Sequence, residues 1–282
     1  MNAIELSHIE KHFTGFSLQD LSLTVPSGSI CGLVGENGAG KSTTIRILMG
    51  ALRPDGGRAR VLGLDPASPE FIRVKEDIGV VLDEAYFPEI LNPVQVGKVL
   101  AKTYRNWDQG MYDGYLDRFE LPGNRPFSKF SRGMKMKLAI AAALSHRPKL
   151  LVLDEATAGL DPIVRDEVLD IFYEFTREED HSILISSHIL SDLEKLCDYI
   201  AALHHGRLLF CQDKDSLLEE YGVFVGTREQ ADALVTEAVV YRETSGYGGV
   251  RALVRRSMVP GTLDLERASV EDIILFMVKG AK

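Results

Sequence analysis

The chain has 282 residues, 45% of them hydrophobic, with 32 Lys and Arg against 41 Asp and Glu for a formal net charge of −9. That length makes one large or two modest domains and supplies ample apolar material for a core. The acidic balance argues against a general nucleic-acid binder, whose affinity comes from cations that neutralise phosphates.

Taken in chain order, Ile4–Leu6 and Leu21–Val25 alternate or are β-branched, and Pro26-Ser27-Gly28 marks a turn. Ile30–Val34 is a short apolar strand. A helix is expected from Lys41 to about Leu52, stopped by Pro54-Asp55-Gly56-Gly57, and Ile78–Leu82 reads as another buried strand. Residues 86–147 are mostly helical: Asn92-Pro93 fits an N-cap followed by proline, Gln95 completes a capping box, and Met134, Leu138, Ala141 and Leu144 recur at helical spacing. Strands return at Leu150–Leu153, Ile183–Ile185, Tyr199–Leu203 and Leu208–Phe210, with a helix carrying Val164, Val168, Ile171, Phe172 and Phe175 between the first two. Ser191 and Glu194 suggest a further capping box. Short apolar stretches and a last helix near Ser269–Val278 make up the tail.

This order predicts an α/β fold: a parallel sheet with an inserted helical subdomain, plus a small C-terminal α+β domain. The expected boundaries are residues 1–212 for the main domain, with the helical subdomain at about 86–147, and 213–282 for the accessory domain. Cys31, Cys197 and Cys211 lie far apart without CxxC spacing, the usage of a protein with reduced thiols. Met1 is not followed by a basic and apolar leader, and no apolar run of about 18 residues occurs, so neither a signal peptide nor a membrane span is expected.

Gly35-Glu36-Asn37-Gly38-Ala39-Gly40-Lys41-Ser42 fits G-x-x-x-x-G-K-[ST], with a strand before it and a helix after. Glycines let backbone N–H groups turn inward around phosphate oxygens, and the helix N-terminus adds partial positive charge. Lys41 is expected on the β- and γ-phosphates of ATP, with Ser42 on Mg²⁺ and Thr43 completing the loop. Leu150–Leu153 runs into Asp154-Glu155, which places two acids at the carboxyl end of a parallel strand, where α/β sheets bind ligands. Asp154 would hold Mg²⁺, and Glu155 would act as general base on the attacking water. The two motifs together predict a P-loop NTPase with a RecA-like core, so that residues 1–212 read as the ATP-binding domain.

Over residues 3–212 the chain resembles the ATP-binding subunit of ABC transporters. Phe130-Ser131-Arg132-Gly133-Met134 resembles the family signature LSGGQ, Ala158-Gly159-Leu160-Asp161 its D-loop, and Ser187-His188 its switch histidine. Phe13 stands where the family has an aromatic on adenine. Alone, a Ser-x-Gly is a turn and a histidine after a strand a core or surface residue; their order around two nucleotide motifs carries the resemblance. It implies that Ser131, Gly133 and Asp161 complete the nucleotide site of a facing second copy or homologous ATPase subunit. It also implies a separate transmembrane permease, a location at the inner face of the cell membrane and no nucleic-acid partner.

Three positions depart from the family pattern. Arg132 replaces a glycine and Met134 a glutamine in the signature, while Asp83 stands where glutamine is usual after Ile78–Leu82. Asp83 can still approach Mg²⁺, though Glu84 leaves the assignment open by one residue. Ala268-Ser269-Val270-Glu271-Asp272-Ile273-Ile274 resembles a motif in the tails of bacterial ABC-2-type exporters, which implies export. The rival reading is a soluble ABC-type ATPase acting on nucleic acid or ribosomes. Translation-type relatives carry two cassettes per chain and repair-type relatives long coiled coils; this chain has one cassette and a short insertion.

Overall fold

The computed structural model describes residues 2–83, 87–244 and 248–281; the alternative Glu84 and the expected start of the helical block at Tyr86 lie outside them. A hairpin, β1 (Asn2–Phe13) and β2 (Phe16–Pro26), leads into β3 (Ile30–Val34) and α1 (Lys41–Leu48). Next come β4 (Gly56–Val61), a short α2 (Phe71–Val74) and β5 (Ile78–Val81), then three helices, α3 (Pro93–Thr103), α4 (Gln109–Arg118) and α5 (Arg132–Leu144). Beyond them alternate β6 (Leu150–Asp154), α6 (Pro162–Phe175), β7 (Ser182–Ser186), α7 (Leu190–Leu196), β8 (Tyr199–His204) and β9 (Arg207–Asp213). The tail holds α8 (Lys214–Glu220), β10 (Tyr221–Thr227), α9 (Arg228–Asp232), β11 (Val239–Thr244), β12 (Gly249–Arg255), β13 (Glu266–Arg267) and α10 (Val270–Gly280).

Six strands form the central sheet in the order β5-β6-β7-β3-β8-β9, parallel except for β9 against β8. Every residue of β3, β6 and β7 is buried, as expected of parallel strands covered on both faces. Successive side chains go to opposite faces, and the two cores sort accordingly. Leu151, Leu153, Ile183 and Ile185 join one cluster with α5 and α6, whereas Leu150, Val152 and Leu184 join another under α1 and a separate antiparallel sheet, β2-β1-β4. The tail forms its own antiparallel sheet, β11-β12-β10-β13. Its inward residues Tyr221, Val223, Leu253, Ile273 and Phe276 belong to the first cluster, while Phe224, Val250, Ala252 and Val254 close a small third one. Among the described residues no helix is long and apolar enough to cross a membrane.

Local signals explain most helix starts. Asn92 accepts from the Gln95 amide at 2.9 Å while Gln95 accepts from the Asn92 amide at 3.0 Å, the reciprocal box expected at α3. Three expectations need correction. α1 ends at Leu48, four residues early, because the chain reverses through Gly50 at φ +64°. Gly56-Gly57 do not merely stop that helix; they open β4, whose register with β1 places Glu10 opposite Gly56. The box at Ser191 does not form: α7 starts at Leu190, so Ser191 is already inside it, and the Ser187 hydroxyl instead accepts from the Ile189 amide at 3.0 Å.

Candidate nucleotide site

The glycine loop joins the end of β3 to α1. Close packing demands its glycines: a Cβ on Gly35 would sit 2.5 Å from the Leu203 carbonyl oxygen, and one on Gly40, at φ +115°, 2.5 Å from Leu18 Cδ2. Ala39 is buried behind the loop. Lys41 is only 6% exposed; its ammonium donates to the Gly35 carbonyl at 2.7 Å and lies 3.7 Å from Glu155 Oε1. The loop is thus curled around its own lysine, and the ammonium points toward the acids at the end of β6.

Those acids end β6, two strands away across β7. Asp154 is buried, and its carboxylate accepts from the Ser42 hydroxyl at 2.9 Å and from the Ser186 hydroxyl at 2.5 Å. Glu155 takes a left-handed backbone, φ +52°, a conformation that costs a non-glycine residue about 1–3 kcal/mol and recurs at functional sites. The turn is held by the Glu155 amide donating to Ser186, at 3.1 Å to its carbonyl and 3.2 Å to its hydroxyl. The two carboxylate oxygens are thereby divided: Oε1 faces Lys41, and Oε2 lies 2.6 Å from His188 Nδ1. Lys41, Ser42, Asp154, Glu155 and His188 form one continuous chain of contacts at the carboxyl ends of β3, β6 and β7.

This chain borders an open cavity of about 510 Å³. Asn37, Gly38, Gly40, Lys41, Ser42 and Thr43 line it from the loop side, and Asp83, Asp154 and Glu155 face them. Four lining residues were absent from the expected site: Gly15, Phe16, Glu36 and His205. Phe13 is not among the lining residues; it is 47% exposed and stacks on Phe16 with ring centroids 6.3 Å apart. Phe13 and Phe16 are cross-strand partners at the tip of the first hairpin, so an aromatic pair, not a single ring, stands at the cavity mouth. The hairpin is fastened there by Gly206, whose amide donates to the Ala39 carbonyl at 3.0 Å and whose carbonyl accepts from the Gln19 amide at 2.8 Å. Gly206 could not be another residue, since a Cβ would fall 1.8 Å from the Ser17 carbonyl oxygen.

Ser131, Gly133 and Asp161 do not line this cavity. Ser131 is the N-cap of α5, its hydroxyl accepting from the Met134 amide at 3.3 Å, and Gly133 lies in the first turn. Asp161 caps α6, accepting from the Val164 amide at 3.1 Å. The two helix starts adjoin each other: the Arg132 guanidinium lies 3.3 Å from where a Cβ of Gly159 would stand, and the Gly133 position faces Leu160. They present a second surface, separate from the cavity of the same chain.

Comparison with known proteins agrees with this arrangement. A family model described as "ABC transporter" matches residues 18–158, half of the chain. The chain is 30% identical over 266 residues to the uncharacterized ABC transporter ATP-binding protein YhcH of Bacillus subtilis, covering 93% of this chain and 87% of that protein. It is 33% identical over 258 residues to the Nod factor export ATP-binding protein I of Rhizobium sp. strain N33, covering 86% of this chain and 84% of the relative. A solved ATP-binding subunit of an ABC transporter superposes with a TM-score of 0.69 at 29% identity, over 76% of this chain and 91% of the other. Motif order, P-loop geometry and these likenesses converge: the chain belongs to the ABC transporter family, as an ATP-binding and ATP-hydrolysing subunit.

Proposed function

We propose that this subunit binds Mg-ATP in the cavity beside Lys41 and uses its hydrolysis to drive export through a separate transmembrane permease. The observation that carries the reading is the pair of contact sets Ser42–Asp154 and Lys41–Glu155–His188, joined through the Ser186 hydroxyl. Lys41 is held by a carbonyl and a carboxylate; a β,γ-phosphate offers it a stronger partner. Glu155 is then free to accept a proton from the water that attacks the γ-phosphate, with His188 holding the carboxylate in place. Ser42 and Asp154 offer adjoining hard oxygen donors that fit Mg²⁺, with Asp83 across the cavity. A cation there would neutralise charge on the transferred phosphoryl group.

Phe13, with Phe16 beneath it, supplies an aromatic face for adenine at the cavity mouth. The capped starts of α5 and α6, with Ser131, Gly133 and Asp161, complete the nucleotide site of a facing copy or a homologous ATPase subunit. Support comes from their position outside their own cavity. An apolar groove of about 270 Å³ lined by Val80, Leu82, Leu100 and Tyr104 adjoins Asp83 and suits attachment of the permease, which places the subunit at the inner face of the membrane. Export is supported by the relative named for Nod factor export, whose likeness extends over most of this chain. We read residues 213–282 as an accessory domain of the same subunit.

Glu155→Gln tests the assignment. The amide keeps the size of the side chain but accepts no proton, so turnover should fall by roughly 10²–10⁴ while ATP still binds. The variant should then accumulate as an ATP-bridged dimer in size-exclusion chromatography, with the permease present if the isolated subunit stays monomeric. Hydrolysis at the wild-type rate would overturn the role given to Glu155.

A further inference from the structure

We propose that Glu36, His204 and His205 form a binding site for a borderline divalent transition metal, represented by Zn²⁺, beside the phosphate loop. The three side chains come from different elements: Glu36 from the loop after β3, His204 from the end of β8 and His205 from the turn into β9. Strands β3 and β8 are parallel neighbours, with Val34 opposite Ala202, so both carboxyl ends open at the same edge. One ligand atom from each residue lies within 4.8 Å of the other two.

A second observation is independent of that proximity. His204 is only 7% exposed, and its Nδ1 has no hydrogen-bond partner among the described residues, one of two buried side-chain polar atoms there in that state. Buried polar atoms are nearly always satisfied, and an exception calls for a water or an ion. The His205 ring stands 4.1 Å from the His204 ring, tilted by 58°, and its backbone is left-handed at φ +46°. That turn conformation brings two consecutive histidines to one side, where an extended strand would send them to opposite faces.

Two imidazoles and one carboxylate are the donor set of zinc sites with an open position, and a poor one for Mg²⁺, which prefers oxygen alone. Metal–ligand bonds of about 2.0–2.2 Å put ligand atoms roughly 3.5 Å apart. The cluster therefore needs a closure on the order of an ångström, which the exposed Glu36 and His205 can supply by side-chain rotation against the fixed His204. The backbone at this point is already fastened, since the Gly206 amide donates to the Ala39 carbonyl. A bound metal adds a second tie, through Glu36, between the phosphate loop and the β8–β9 turn. Glu36 and His205 also line the cavity, so occupancy restrains the loop that receives the phosphates. That consequence rests on the nucleotide reading above; the metal site itself does not.

The test uses the full chain freed of metal and without nucleotide. Titration with Zn²⁺ by calorimetry, and with Co²⁺ by visible absorption, should show one site per chain with the intense bands of low-coordinate Co²⁺. Glu36→Gln and His205→Asn should each weaken Zn²⁺ binding by roughly ten-fold or more; Asn is chosen because it accepts the left-handed backbone. An unchanged circular dichroism melt of both metal-free variants separates lost ligation from misfolding. Absence of a 1:1 complex, or wild-type affinity in the double variant, would overturn the site and assign any binding to scattered surface histidines. In a separate arm, Zn²⁺ should lower the affinity of wild type for ATP several-fold and leave that of Glu36→Gln unaltered by the metal. Equal ATP affinity with and without Zn²⁺ would overturn the restraint on the loop.

Discussion

The central sheet and the tail sheet are built on opposite plans. In β3, β6 and β7 every residue is buried, and the polar groups of the site stand where each strand stops: at Gly35, at Asp154 and at Ser186. In the tail, β11 is nowhere fully buried and β10 passes from buried Tyr221–Phe224 to exposed Val225. A strand covered on both faces has no freedom along its length, so its carboxyl end is a rigid place to mount Lys41 and Asp154–Glu155. A strand with one covered face is a surface, suited to contact rather than to catalysis. Yet the two are not independent, because Phe276, Val223 and Leu253 enter the same apolar cluster as β6 and β7.

The largest effect tests the catalytic half of this contrast. Lys41→Ala removes the ammonium that the loop encloses, and ATP binding and turnover should both be abolished, as measured by nucleotide titration and phosphate release. Normal ATP affinity in that variant would break the assignment of the loop. The next addresses the join between the halves. Phe276→Ala opens a cavity in the shared cluster and should cost about 3–5 kcal/mol in chemical denaturation. If the tail is part of one cooperative unit, the transition stays single; a separate early transition, with ATP binding intact, would mean that the shared cluster does not couple them.

Smaller effects sharpen the picture. Ser269→Ala removes a capping box in which the Ser269 hydroxyl accepts from the Asp272 amide at 3.0 Å; the cost should be about 1 kcal/mol. Stability should drop without a change in turnover, because α10 lies far from the cavity in chain order and packs mainly on β11, β12, α7 and α8. The least effect is expected at the cavity wall. Asp83→Gln keeps an oxygen donor at the position, so ATPase activity should change by less than about ten-fold, one factor of ten being about 1.4 kcal/mol. A dead enzyme would give Asp83 a catalytic part beyond that of a metal neighbour.

Much of the site was legible in the sequence because its chemistry is local. The glycine loop, Lys41 and Ser42 are eight consecutive residues whose glycines answer to backbone sterics, and Asp154-Glu155 follow a short apolar run that reads as a buried strand. Capping at Asn92 was equally local, whereas Ser191 and Glu194 had the right spacing but lay inside a helix already begun at Leu190. What the tertiary structure decided concerns residues distant in sequence. Phe16 lines the cavity with Phe13 stacked beside it because hairpin register sets the two rings opposite each other. His205 and Glu36 adjoin because β8 lies beside β3, a pairing set by strand order and not by any local pattern. The left-handed Glu155, divided between Lys41 and His188, needs Ser186 from a third strand to hold its turn. Residues on one turn of chain constrain each other through covalent geometry and so appear as motifs; residues on neighbouring strands meet only after the sheet has ordered, and nothing in either segment alone records the other.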